Sequence, residues 1–177
     1  GRTLRDTRRV RRGLGSIRQD LNVSIMCGDR VEIKGCQDLE WIPKIIRKEM
    51  ARQLHFFRLA NRLRQDSNLP LLSTDRREQS VSVSKEVAQM LPLKIIDVSK
   101  AFSSCDSKMV KQGLANGSVM LALPLPGFAT HIGTKTLDED GAQMPRLGRE
   151  LAGAAKLAGV AGIFHSDELP AYGIEQE

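Results

Sequence analysis

Six polar side chains at fixed spacing in DLNVSIMCGDRVEIKG, residues 20–35, could do chemistry together. Asp20, Asn22 and Ser24 alternate with Leu21, Val23 and Ile25. After a turn, Arg30, Glu32 and Lys34 alternate with Val31 and Ile33. A period of two on both arms predicts a β-hairpin with one apolar and one polar face. Asp20 and Glu32 supply hard carboxylate oxygens of the kind Mg²⁺ takes. Asn22 and Ser24 can complete a first or second shell, and Arg30 and Lys34 can hold phosphate oxygens. ATP chemistry uses such a set, because positioning and charge neutralisation are most of phosphoryl transfer. A solvated sheet face uses the same residues, and spacing alone leaves both readings open.

The hairpin must hold this face in register. Opposed residues share a face, and a slip of one residue exchanges the faces. A three-residue loop, Cys27-Gly28-Asp29, pairs Ser24 with Glu32, Asn22 with Lys34, Val23 with Ile33 and Ile25 with Val31, and keeps the faces apart. A two-residue Gly28-Asp29 turn would oppose Ile25 to Glu32, so the longer loop is preferred.

The flanking elements follow from periodicity. Residues 3–15 form a basic helical turn or two that stops at Gly13 and Gly15, with a thin apolar stripe of Leu4 and Val10. Residues 38–65 predict the strongest helix: Ile42, Ile46, Met50, Leu54 and Phe57 recur at spacings of three and four. Asp38 can cap its start, and Pro43 requires the regular helix to begin near Ile42. Arg47, Lys48, Arg52, Arg58, Arg62 and Arg64 decorate the other faces, the last two near the negative end of the dipole.

Residues 66–91 are polar and Ser-rich and read as a linker, with a short helix around Lys85–Met90. Residues 92–177 alternate strands and helices: a strand over 93–99, a helix over 106–117, a buried strand over 118–128, a loop over 134–145, a helix over 146–159, then a strand and turn over 161–173. The pattern argues an α+β chain: a hairpin-and-helix part at 1–65, the linker, and a small mixed domain at 92–177.

Bulk properties bound the function. The chain has 177 residues, enough for one sizeable core or two small ones. Only 4% are aromatic, so the core is aliphatic. Three cysteines without a C-x-x-C pair argue against a disulfide framework or zinc site and fit a reducing cytoplasm. No apolar run reaches membrane-span length, so no membrane partner is expected. Residues 1–65 hold 16 Lys and Arg against 7 Asp and Glu, a net +9; residues 66–177 hold 11 against 14, a net −3. The basic first part suits a large anion such as nucleic acid, with Arg8, Arg9, Arg11, Arg12 and Arg18 as candidate backbone contacts. A solvated basic face, or one met by an acidic partner protein, is the competing reading.

The remaining constellations are weaker. His55 reads as a histidine on the long helix. His131 stands alone. His165, Asp167 and Glu168 in FHSDELP fit no metal signature, and a turn cap is the simpler role. No P-loop, G-x-S-x-G or H-E-x-x-H is present.

The stretches RRGLGSIRQDLNVSI and RVEIKGCQDLEWIPKIIRKEMARQ resemble the archaeal GatE family of glutamyl-tRNA(Gln) amidotransferases, which is related to GatB of the three-subunit bacterial and organellar enzyme. LPGFATHIG and GRELAGAAKLAGVAGIFHSDELPAYGI resemble the insert domain that this family shares with bacterial-type aspartyl-tRNA synthetases. Together the resemblance covers roughly 150 positions, in the family's order.

The resemblance implies that residues 1–65 are the end of a cradle-shaped kinase domain and 92–177 an incomplete insert domain. It implies a fragment that is inactive alone. The implied reaction is conversion of Glu-tRNA(Gln) to Gln-tRNA(Gln): ATP and Mg²⁺ activate the tRNA-bound glutamate as an acyl phosphate, and ammonia released by an asparaginase-like partner, GatD, displaces the phosphate. The implied assembly is a cytoplasmic hetero-oligomer with charged tRNA(Gln). On this reading Glu32 and Lys34 are the candidate catalytic residues, and Asn22, Ser24 and Arg30 bind ATP, phosphate or substrate. Glu32 with Asp20 faces metal. A non-catalytic tRNA-binding module using the basic N-terminal part is the alternative. The cradle motif speaks against a third reading, an insert region joined to an unrelated basic domain.

Overall fold

The structure is a computed structural model that describes residues 2–11, 13, 15–79, 89, 94–138, 140–168 and 174. Arg12, most of the expected helix at 85–90 and the end of the expected turn at 169–173 lie outside the described residues. The described elements are α+β, and the chain divides into two compact units, Gly1–Gln79 and Ser80–Glu177.

In the first unit, α1 (Arg2–Asp6) is shorter than its sequence suggests. Thr7 donates its hydroxyl to the Leu4 carbonyl at 2.6 Å, and Arg8 takes a left-handed conformation at φ 56°. A non-glycine residue there ends a helix. Strands β1 (Gln19–Val23) and β2 (Val31–Cys36) form the antiparallel hairpin.

The hairpin register differs from the sequence expectation by two residues. Val23 opposes Val31, Asn22 opposes Glu32, and Leu21 opposes Ile33. A slip of two preserves both faces, so Asp20, Asn22, Glu32 and Lys34 are all exposed while Val23 is buried. The ladder stops early because other groups claim the backbone beyond Val23. Gln53 donates to the Val23 carbonyl at 3.1 Å and accepts from the Ile25 amide at 3.2 Å. The Met26 carbonyl accepts from the Arg76 amide at 2.8 Å. Ser24 and Arg30 therefore sit in a wide loop rather than in the ladder.

A short 3₁₀ turn, Leu39–Trp41, is capped by Asp38, which accepts from the Glu40 amide at 2.9 Å. The long helix α2 (Ile42–Asp66) follows, with Pro43 in its first turn as expected. Its buried residues are Gln53 and Arg64, not the apolar ones. Arg64, expected at the exposed helix end, instead donates its Nε to the Pro70 carbonyl.

Residues 66–79, whose composition reads as linker, are tied into this unit. Asn61 accepts from the Leu72 amide at 2.7 Å, Arg76 pairs with Asp29 at 2.9 Å, and the Gln79 side-chain amide donates to the Cys27 carbonyl at 3.2 Å. Asp75 caps the 3₁₀ turn Arg76–Glu78. The side-chain bond from Arg77, with the Arg77 amide, lowers the Asp75 pKa from 3.8 to about 2. A carboxylate whose folded pKa is depressed stabilises above its unfolded pKa and loses that contribution as pH falls through the folded value. The turn is expected to stay protected from amide exchange down to pH near 4 and to loosen between pH 4 and about 2. Exchange at Arg77 across that range checks it; loosening above pH 5 would contradict it.

In the second unit, β3 (Ile96–Asp97) pairs antiparallel with β4 (Leu121–Ala122). Both strands are shorter than expected, and Leu121 and Leu123 are exposed rather than buried. Helix α3 (Lys108–Ala115) starts at Ser107, which accepts from the Val110 amide, and ends before Gly117 at φ 83°. Helix α4 (Leu147–Leu157) agrees with the small-residue segment. Residues 161–165 form no strand and lead into a 3₁₀ turn, Ser166–Glu168.

Candidate functional site

The polar face of the hairpin is built by a bulge as well as by alternation. Between the Leu21–Ile33 and Gln19–Cys36 pairs, Asp20 faces two residues, Lys34 and Gly35. Gly35 adopts φ 72°, open to glycine at low cost, and its amide donates to Asp20 Oδ1 at 2.9 Å. One Asp20 oxygen is thus occupied by the backbone it fixes. Lys34 Nζ lies 3.2 Å from Glu32 Oε2, with side chains 73% and 46% exposed. Asn22 is the direct partner of Glu32 across the strands. The structure therefore brings Asp20, Asn22, Glu32 and Lys34 onto one face. Ser24 and Arg30, both exposed, lie at the ends of the loop that joins the strands.

The carboxylate oxygens on this face are of the chemical kind that Mg²⁺ takes. Mg²⁺ is commonly held by one or two carboxylates together with waters and phosphate oxygens. Glu32 and the second oxygen of Asp20 are such donors. Among the described residues, no group of three or more His, Cys, Asp and Glu is placed to hold a metal.

Behind the polar face stands Gln53, which sequence reading missed. It lies seven residues after Ile46 and four before Phe57, on the apolar arc of α2, and an amide on that arc is the signal that could have found it. Its Nε2 also donates to Glu49 Oε1 at 2.9 Å. Arg52 holds both oxygens of Glu49, at 2.8 and 2.9 Å. Burial works to raise the Glu49 pKa, but the hydrogen bonds from Arg52 and Gln53 and the Arg52 charge override it, so the carboxyl titrates below its usual range. Gly28 passes so close to Gln53 Oε1 that a β-carbon there would displace it.

Of the candidate RNA contacts, Arg8, Arg9 and Arg11 lie just after α1 and Arg18 just before β1; Arg8 and Arg9 are exposed. Arg12 lies outside the described residues.

In the second unit, His165, Asp167 and Glu168 are partly buried. Asp167 accepts from the Thr130 amide at 2.9 Å and the Gly133 amide at 3.0 Å. Burial raises its pKa, and those amides, His165 and the Ile132 amide outweigh that, so it is lowered. Glu168 takes Arg146 at 2.6 Å, and His165 Nε2 lies 3.5 Å from its other oxygen. Gly148 and Gly133 leave room for the His165 ring and the Asp167 β-carbon. The two separated segments LPGFATHIG and GRELAG are thus joined through this turn, which acts as a cap, the simpler of the two roles.

No described helix is long and apolar enough to cross a membrane. A family model described as the GatB/GatE catalytic domain matches residues 1–90. The chain is 44% identical over 177 residues to the GatE subunit of glutamyl-tRNA(Gln) amidotransferase from Pyrococcus furiosus, covering all of this chain and 24% of that protein. It is 41% identical to the proteins of the same name from Methanocaldococcus jannaschii and Methanothermobacter thermautotrophicus, again over all of this chain and 24% of each relative. The chain spans about a quarter of the length of these curated relatives.

Proposed function

The chain belongs to the GatB/GatE catalytic-domain family, and on that premise we propose that it contributes the activating site of a tRNA-dependent amidotransferase. The reaction is ATP-dependent conversion of Glu-tRNA(Gln) to Gln-tRNA(Gln). The observation that carries this reading is the hairpin face, where Glu32, Lys34, Asn22 and Asp20 stand exposed on one surface.

The chemistry has a simple logic. A carboxylate is a poor acyl donor. Attack of the glutamate carboxylate on the γ-phosphorus of ATP forms an acyl phosphate and releases ADP. Ammonia then attacks the acyl carbon, loses a proton, and expels phosphate with the carbon–oxygen electron pair. Lys34 would hold phosphate oxygens, with Arg30 from the adjoining loop. Asn22 and Ser24 would orient the ligand. Glu32 and Asp20 would hold Mg²⁺, which when bound neutralises phosphate charge. The Asp20 bond to the Gly35 amide fixes where that face stands. The asparaginase-like amidotransferase partner, GatD, would supply the ammonia, in a cytoplasmic hetero-oligomer.

The test uses the natural protein with that partner, Glu-tRNA(Gln), ATP and an ammonium salt. ATP-dependent Gln-tRNA is the expected product. Absence of product while tRNA still binds would overturn the activating role and leave a binding module.

A further inference from the structure

The cations of α2 are not equivalent, and the structure separates them. Arg52 is held by Glu49, and Arg64 is buried against the Pro70 carbonyl. Lys48 is half-buried. Arg47, Arg58 and Arg62 remain exposed, and among the described residues none of the three has a hydrogen bond or ion-pair partner. Lys44 is exposed beside them, with its ammonium 4.8 Å from the Trp41 ring.

These positions share one side of the helix. At about 100° per residue, Lys44, Arg47, Arg58 and Arg62 fall within an arc of roughly 60°. Gln53, which grips the hairpin, lies on the opposite side. Lys44 to Arg62 spans about 27 Å of axis at about 1.5 Å per residue. The helix carries only two acids. Glu49 is consumed by Arg52 and Gln53, and Asp66 is the last helical residue. The exposed side is therefore a straight cationic rail.

We infer that the outer side of α2 is a contact surface for the phosphate backbone of the RNA substrate, with Arg47, Arg58 and Arg62 as its main contacts. The inference rests on the proposed tRNA-dependent function. Charge complementarity selects the occupant. Guanidinium groups free of carboxylate partners, set along a rigid rod, suit the linear charge of a nucleic acid. One helix would then hold RNA on its outside and the activating hairpin on its inside, with the Gln53 bonds joining the two.

The test is tRNA binding by the natural protein against salt, for wild type and the triple variant Arg47→Gln/Arg58→Gln/Arg62→Gln. Each phosphate contact contributes about 0.7–0.9 to the slope of log affinity against log salt. The triple variant is expected to lose about 2.1–2.7 from that slope, so its affinity falls about 20- to 40-fold less than wild type between 50 and 200 mM salt. Lys100→Gln/Lys111→Gln in the second unit is the control and is expected to leave the slope unchanged. Among the described residues the three side chains have no hydrogen-bond or ion-pair partner, so thermal unfolding should not move. An unchanged slope in a folded triple variant overturns the rail, even if amidation confirms the proposed function. Loss of a protein partner with intact RNA binding also overturns it, in favour of protein docking. Wild type that binds tRNA with the expected slope change but forms no Gln-tRNA supports the rail and overturns the activating role instead.

Discussion

Glu32→Gln in the natural protein is expected to cut ATP-dependent Gln-tRNA formation by at least about 100-fold, the scale of removing one charged or hydrogen-bonding group from a transition-state site. Binding of tRNA should change by less than about twofold. The variant isolates the chemistry because little else depends on this side chain. Its ion-pair partner is Lys34, at 3.2 Å and well exposed. Exposed pairs contribute at most about 1 kcal/mol. Melting should therefore be nearly unchanged. Labelled ATP in a single-turnover assay tells the outcomes apart: loss of phosphate transfer places Glu32 at activation. Full activity in the variant would make the hairpin face structural and leave the family assignment standing.

Gln53→Ala is expected to cost the first unit about 2–4 kcal/mol. The change leaves the Val23 carbonyl and Ile25 amide without the partner they have now, and an unsatisfied buried group costs about 1–3 kcal/mol. It also removes a bond to Glu49 and leaves a small cavity. Denaturant unfolding, with amide exchange at Ile25, measures it. Protection at Ile25 should fall first. Gly28→Ala is expected to reproduce part of the effect, because its β-carbon would push Gln53 aside. A loss below about 0.5 kcal/mol for Gln53→Ala would mean that water replaces the clamp and that something else ends the ladder.

Much of this architecture can be read in the residues. Period-two alternation sorted Asp20, Asn22, Glu32 and Lys34 to one face, and that sorting survives a register error of two because parity, not pairing, decides the face. Pro43 and Ser107 mark helix starts by local rules, and each does so here, whereas Asp38 caps the 3₁₀ turn before the long helix rather than the helix itself. What could not be read depends on distant partners. Nothing local says that Gln53 ends the ladder, or that Arg76 and Gln79 carry a Ser-rich segment back to the hairpin loop. Arg64 looks like a surface residue until the Pro70 carbonyl is placed beside it. The short β3 and β4 show the limit of apolar runs: Leu121 and Leu123 suggest burial by composition, yet both stand in solvent.

The bulge at Gly35 has a consequence for how the hairpin tolerates change. A regular two-stranded ribbon is degenerate: it can slide by two residues, bury the same side chains, and keep a coherent surface. The Asp20 carboxylate breaks that degeneracy, because it fits one amide, and glycine adopts the φ of 72° found there at the least cost. The ribbon is thus keyed like a lock, with a single seating among several that pattern alone would accept. A Gly35 replacement should therefore act less by unfolding the hairpin than by letting it settle one notch away, with each functional group present and each displaced.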